Sequence, residues 1–155
     1  MQTALAALLT RRDYAISEAE AKLIERGAPP EVAAAVVADF AARGYLNDGR
    51  YAEKYLGYAA RTGHGPVRIV RDLRERGVSN EAIALALDHG PDWRALCEEL
   101  RQRRFGPAAP ASWAEKGRQA RFLQYRGFSS DHMRLAVRPN PDDPDPTDPD
   151  PTAEQ

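Results

Sequence analysis

The residues of this 155-residue chain best suited to binding chemistry are arginines that recur at a fixed interval. Arg68, Arg71 and Arg76 are followed 50 residues later by Arg118, Arg121 and Arg126. A guanidinium keeps its charge at every physiological pH and presents a planar fork of donors, which matches carboxylates and phosphates. Residues at i and i+3 share a helix face. Arg68 therefore sits beside Arg71, with Ile69, Val70 and Leu73 turned the other way. Arg118 sits likewise beside Arg121, opposite Trp113, Ala120 and Leu123. These six arginines are the candidate partner-binding or DNA-binding residues, and two neighbouring units could present them as one cationic surface. The competing reading is that they are solubilising positions on exposed helices, because a basic patch without a groove or motif is a weak signal.

Other chemistry is sparse. His64, His89 and His132 are isolated, and none has the H-x-x-x-H or H-E-x-x-H spacing of a metal site. The Gly-His-Gly run at 63–65 lacks the length and lysine of a phosphate loop, so His64 reads as a polar loop residue and not as a catalytic base. Cys97 falls within an expected helix, as a small partly buried residue. Tyr51, Tyr55 and Tyr58 stand at helical spacing and read as packing residues before they read as a base-stacking platform. No catalytic constellation, metal site or cofactor is expected, and the chain does not read as an enzyme.

The elements that must position these arginines are written three times. Gly27, Gly77 and Gly127 repeat at the same 50-residue interval, each preceded by an arginine and, four residues back, by Leu23, Leu73 or Leu123. If each glycine is the left-handed residue just past a helix, the leucine occupies the position that a Schellman ending packs against the residue after the glycine. That residue is Ala28, Val78 or Phe128. The next helix starts at once, with Ser79 and Ser129 as N-caps, Pro30 at a first helical position, and Glu31, Glu81 and Asp131 in the first turn. The sets Ala33/Ile83/Met133, Ala35/Leu85/Leu135 and Val37/Leu87/Val137 stay apolar in all copies. The corners Leu23–Gly27, Leu73–Gly77 and Leu123–Gly127 are therefore scaffold.

An earlier helix precedes each corner helix. The first copy supplies residues 3–12 and then a helix opened by Ser17 and Glu20 at capping-box spacing. The second begins near Asp48 and the third near Asp92. No segment alternates with period two, so strands are not expected. The expected fold is all-α: about nine helices forming three tandem three-helix repeats in an elongated, curved array. The repeats cover 1–47, 48–90 and 91–138, followed by a tail at 139–155.

That tail holds five Asp, one Glu and six Pro with no Lys or Arg, and its composition predicts a disordered acidic segment. Removing it leaves 17 acids against 22 bases in residues 1–138, so a basic body stands behind a net charge of −1. The single cysteine excludes an internal disulfide and suits a reducing cytoplasm. The apolar run at the start precedes its basic residues, the reverse of a secretory signal, and no stretch is long enough to span a bilayer. A soluble, cytoplasmic monomer is the expectation.

Three segments, GYLNDGRYAEKY (44–55), GPVRIVRDLRERGV (65–78) and RFLQYRGFSSDHM (121–133), closely resemble the bacterial RecX regulatory proteins, and RRDYAISEAEAKL (11–23) resembles their N-terminal segment more loosely. Ala15 and Ala19 depart from the Ser and Leu common in that family, and the acidic tail has no place in its pattern. The resemblance implies tandem three-helix units that bind the RecA recombinase filament and lodge in its groove. It further implies inhibition of strand exchange, ATP hydrolysis and co-protease activity, with contacts to single- or double-stranded DNA also known in such proteins. The alternative is a helical protein that binds DNA directly and competes with the recombinase for it.

Overall fold

The structure, a computed structural model, describes residues 1–136. The acidic tail at 139–155 and the apolar position Val137 lie outside the described residues. Among the described residues there are nine α-helices and no strand. They are α1 (Gln2–Leu9), α2 (Ile16–Glu25), α3 (Pro30–Ala42), α4 (Asp48–Arg61), α5 (Pro66–Glu75), α6 (Asn80–Asp88), α7 (Trp93–Phe105), α8 (Trp113–Tyr125) and α9 (Ser130–Ala136).

Local chemistry starts most of these helices. Asn47, Ser79 and Ser112 each accept a hydrogen bond from the backbone N–H three residues on, at 2.9, 3.2 and 3.1 Å. Asp92 accepts from both Arg94 N and Ala95 N. The start of α2 differs from expectation. Its N-cap is Ala15, not Ser17, because Glu18 reaches back to accept the Ala15 N–H at 3.3 Å and the Asp48 carboxylate accepts the Ile16 N–H at 2.9 Å. Two acidic side chains, one of them 32 residues distant, thus start the helix before the serine can.

All three glycine corners close with the same bonds. The N–H groups of Ala28, Val78 and Phe128 donate to the carbonyls of Leu23, Leu73 and Leu123 at 3.0, 3.0 and 3.1 Å. Those of Gly27, Gly77 and Gly127 donate to Ile24, Arg74 and Gln124. This is the Schellman pattern, and it requires the positive φ that each glycine adopts. Each leucine and its partner after the glycine are buried.

The chain folds as two compact units, Met1–Thr62 with Ile69–Pro91, and Gly63–Arg68 with Asp92–Gln155. In the first, α2 packs on α3 and α4 on α6. One part of its core gathers Leu5, Leu8, Tyr14, Leu23, Val37 and Phe40. Its Gly77 corner meets the first turn of α2: a Cβ added at Gly77 would lie 2.6 Å from Ser17 Cβ, and Ser17 Oγ donates to Gly77 O at 3.4 Å. In the second unit α7 packs on α9, around Cys97, Leu123, Phe128 and Met133. Its Gly127 corner meets the chain entering α5. Gly65 N donates to Arg126 O at 2.8 Å and Val67 N to Gly127 O at 2.9 Å. A Cβ on Gly127 would sit 2.5 Å from Arg68 Cβ, and one on Gly65 would sit 2.5 Å from Gly127 O. The Gly-His-Gly run is therefore part of a joint between backbones. Gly27, by contrast, has nothing within 4 Å of where its Cβ would be.

The apolar sets divide by helix geometry. Ala33, Ile83 and Met133 are buried, whereas Ala35 and Leu85, two residues further along the same helices, face solvent. A two-residue step turns about 200° around a helix, so apolar type alone does not place such a residue inside.

Candidate functional site

In the second unit, α8 carries Arg118, Phe122 and Arg126 at steps of four, so two guanidiniums flank one ring on a single face. The Arg126 guanidinium carbon lies 5.4 Å from the Phe122 centroid, and that of Arg104, from the last turn of α7, lies 5.5 Å from it. Arg118 covers Phe105 at 5.3 Å. Phe105 and Phe122 meet edge to face with centroids 5.4 Å apart. Three arginines are thus held over two packed rings, whose faces attract the cations; the fork of Arg118 is taken by Glu115, while Arg104 keeps its fork edge available for acceptors.

The charge around this cluster is unbalanced. Glu98, Glu99 and Glu115 are the carboxylates of α7 and α8, and each faces an arginine on its own helix: Arg101 at 2.9 Å, Arg103 at 2.8 Å and Arg118 at 2.7 Å. Hydrogen bonds from Arg118 and Gln119 hold the Glu115 carboxyl below its usual range, and the same contact raises Arg118. Arg104, Arg121 and Arg126 have no carboxylate partner among the described residues. Arg104 and Arg121 are exposed, and the Arg126 Nε–H is buried without an acceptor. The arrangement can bind anions, and a planar bidentate acceptor suits it best.

The remaining candidates are placed differently. Arg68 belongs to this second unit, half-buried with its Cβ against the Gly127 corner. Arg71 and Arg76 belong to the first unit. Arg71 is exposed and pairs loosely with Asp72 at 3.4 Å. Arg76 Nη1 donates to Tyr51 OH at 2.7 Å, and its guanidinium lies over the Tyr55 ring at 4.5 Å. Tyr55 in turn donates to Asp72. Tyr51 is buried and Tyr55 half-buried, but Tyr58 is 60% exposed.

Arg104, Phe105 and Phe122 were not singled out by sequence. The i, i+4 row Arg118–Phe122–Arg126 on α8 was a readable signal. The arrival of Arg104 and Phe105 depends on how α7 packs against α8, which no local pattern encodes. Elsewhere, the first unit has an open apolar groove of about 450 Å³ lined by Ala6, Leu9, Thr10, Phe40 and Tyr45. Among the described residues no group of three or more His, Cys, Asp or Glu could hold a metal ion, and no helix is long and apolar enough to cross a membrane. Cys97 is fully buried, and burial pushes its thiol up to about 12.

Comparison with known families matches residues 47–87 to the second three-helix domain of RecX and residues 92–137 to the third. The Regulatory protein RecX of Pseudomonas savastanoi pv. phaseolicola (strain 1448A / Race 6) is 43% identical over 125 residues, covering 80% of this chain and 81% of that protein. The chain belongs to the RecX family. The Regulatory protein RecX of Halorhodospira halophila (strain DSM 244 / SL1) is 40% identical over 137 residues, covering 88% of this chain and 85% of its own length. Membership carries a regulatory role, in a family of regulators and not of enzymes. The crystal structure of RecX from Lactobacillus salivarius superimposes with a TM-score of 0.73 at 21% identity, over 88% of this chain and 91% of that one. That similarity establishes the helical repeat fold of RecX for this chain.

Proposed function

We propose that this RecX-family chain binds the nucleoprotein filament of the RecA recombinase and inhibits its strand exchange, ATP hydrolysis and co-protease activities. It thereby modulates homologous recombination and the SOS response in the cytoplasm. Family membership over most of the chain supports the partner. The observation that carries a contact surface is the cluster of Arg104, Arg118 and Arg126 over Phe105 and Phe122, with Arg121 on the same helix. A filament presents phosphates and acidic side chains, which are the acceptors this cluster fits. The repeats 1–47, 48–90 and 91–138 are the sequence units of this reading, and Arg71, exposed in the first unit, is a separate candidate. The protein acts as a monomer.

The decisive assay is RecA ATPase on single-stranded DNA, with and without the protein. The wild-type chain inhibits, and a variant with Arg71→Glu, Arg118→Glu and Arg121→Glu loses inhibition while keeping its helical circular dichroism. Arg68 is left unchanged because its backbone and Cβ form the joint at Gly127. Full inhibition by the variant removes these arginines from the contact. The same cluster also suits free DNA, which defines the second reading, competition for the DNA itself. Inhibition at protein concentrations far below those that coat the DNA decides for the filament.

A further inference from the structure

We propose that the acidic segment 139–155 docks in cis on the cationic face formed by Arg104, Arg118, Arg121 and Arg126, and that an anionic partner must displace it. This rests on the proposed function only for its effect on the filament; the docking itself is read out within the chain. Three observations support it.

The first is unmet charge. The acids of α7 and α8 already face Arg101, Arg103 and Arg118 within their own helices, while Arg104, Arg121 and Arg126 have no described carboxylate partner. The second is the complementary composition of the segment. Asp142, Asp143, Asp145, Asp148, Asp150 and Glu154 are its charged residues, without one Lys or Arg among them. The six prolines interspersed with these acids remove six of the segment's 17 backbone donors, so acceptors outnumber donors along it.

The third is length and origin. The segment follows α9, which ends at Ala136 in the same unit as α7 and α8. Nineteen residues lead from there to Gln155, and at about 3.3 Å per residue they reach roughly 60 Å when extended. The described part of this unit, 63–68 and 92–136, is 51 residues, and a body of about 50 residues has a radius of gyration of about 10 Å, so every face of it lies within reach. Tethering supplies an effective concentration on the order of millimolar. An interaction that would be weak between separate molecules then occupies the face most of the time. Occupancy of about 70–90% raises the apparent dissociation constant of a competing ligand about threefold to tenfold. The effect disappears at high salt, because exposed pairs are screened.

The test compares the full-length chain with a full-length variant carrying Asp142→Asn, Asp143→Asn, Asp145→Asn, Asp148→Asn and Asp150→Asn. The guanidinium Nε–Hε NMR signals of Arg104, Arg118, Arg121 and Arg126 are followed at low and high salt. Docking places the wild-type signals apart from the variant's at low salt and brings the two together at high salt. Superimposable signals in both chains at every salt concentration overturn the proposal. The second arm measures affinity for the RecA filament at low salt, where the variant binds about threefold to tenfold more tightly. If the signals differ but filament affinity does not, docking stands and the filament-contact role of this face falls. If single-stranded DNA shifts the four signals equally in both chains at low salt, the face is a nucleic-acid site from which the segment is absent, and the proposal fails.

Discussion

Gly27 and Gly127 form a matched pair for separating two roles of a glycine corner. Their φ values are +95° and +97°, so replacing either with alanine imposes nearly the same backbone strain. That strain is about 1–2 kcal/mol, reduced by about 0.4–1 kcal/mol through the stiffer unfolded chain. Gly27→Ala, with nothing within 4 Å, should therefore cost about 1 kcal/mol. At Gly127 the new methyl would lie 2.5 Å from Arg68 Cβ and 2.8 Å from Arg68 N. Ordinary carbon contacts need about 3.5 Å, so the two backbones must separate by roughly 1 Å. The bonds from Gly65 N and Val67 N, at 2.8 and 2.9 Å, would then stretch beyond hydrogen-bonding range. Two lost bonds at about 1 kcal/mol each, together with steric strain of about 1–3 kcal/mol, make Gly127→Ala about 3–5 kcal/mol more costly than Gly27→Ala. Urea unfolding followed by circular dichroism measures both variants. Tryptophan fluorescence isolates the second unit, since Trp93 and Trp113 are the chain's two tryptophans and both belong to it. Gly77→Ala, facing Ser17 Cβ at 2.6 Å, should behave like Gly127→Ala and provides the comparison within the first unit. Equal losses at Gly27 and Gly127, within about 0.5 kcal/mol, would refute the joint and reduce all three glycines to conformational caps.

Cys97 should resist iodoacetamide at pH 8 in the folded chain and react freely in urea; with the thiol near 12, only about one molecule in ten thousand is thiolate at that pH. Fast alkylation without unfolding would contradict the burial. The Glu115 carboxyl is held below its ordinary value of 4.5 by Arg118 and Gln119, so its stabilising effect is present above that pH and is lost as pH falls through the lowered value. Melting curves of the wild type and Glu115→Gln should therefore differ at pH 7 and converge as the carboxyl is protonated in acid; a difference that persists in acid would assign the effect to shape and not to charge. Arg101 is almost fully buried between Glu98 and the Ala108 carbonyl. Glu98→Ala leaves that charge unpaired and should cost about 2 kcal/mol, more than Arg101→Met, which removes it; denaturant titration gives the order, and the reverse order would refute the account.

The fold was largely legible because its instructions are local. A leucine, an arginine and a glycine at fixed spacing specify a Schellman ending without knowledge of the rest of the chain, and Asp92 and Ser79 mark helix starts equally directly. The start of α2 was not legible, because Asp48, 32 residues away, accepts the Ile16 N–H ahead of the serine. The site was legible in type but not in membership. Repetition singled out Arg118, Arg121 and Arg126 as a set. The same repetition linked Arg76 to Arg126, yet Arg76 is engaged by Tyr51 and Tyr55 through packing of α4 and α5. Arg104 and Phe105 join the cluster through helix packing and have no counterpart in the 50-residue period.

The joint at Gly127 also bears on how many copies such a chain can string together. It uses the free N–H groups of Gly65 and Val67 at the entrance to α5. Fifty residues later the same positions are Glu115 and Gly117, but α8 has already begun at Trp113. Ser112 takes the Glu115 N–H, and Gly117 lies inside the helix, where its N–H bonds to the turn before. The third repeat consequently has no donors with which to grip a further corner. The open Gly27 corner of another molecule finds no partner there either. Head-to-tail stacking of identical modules, the ordinary hazard of a repetitive chain, cannot reuse this joint at α8, whose front carries three extra residues.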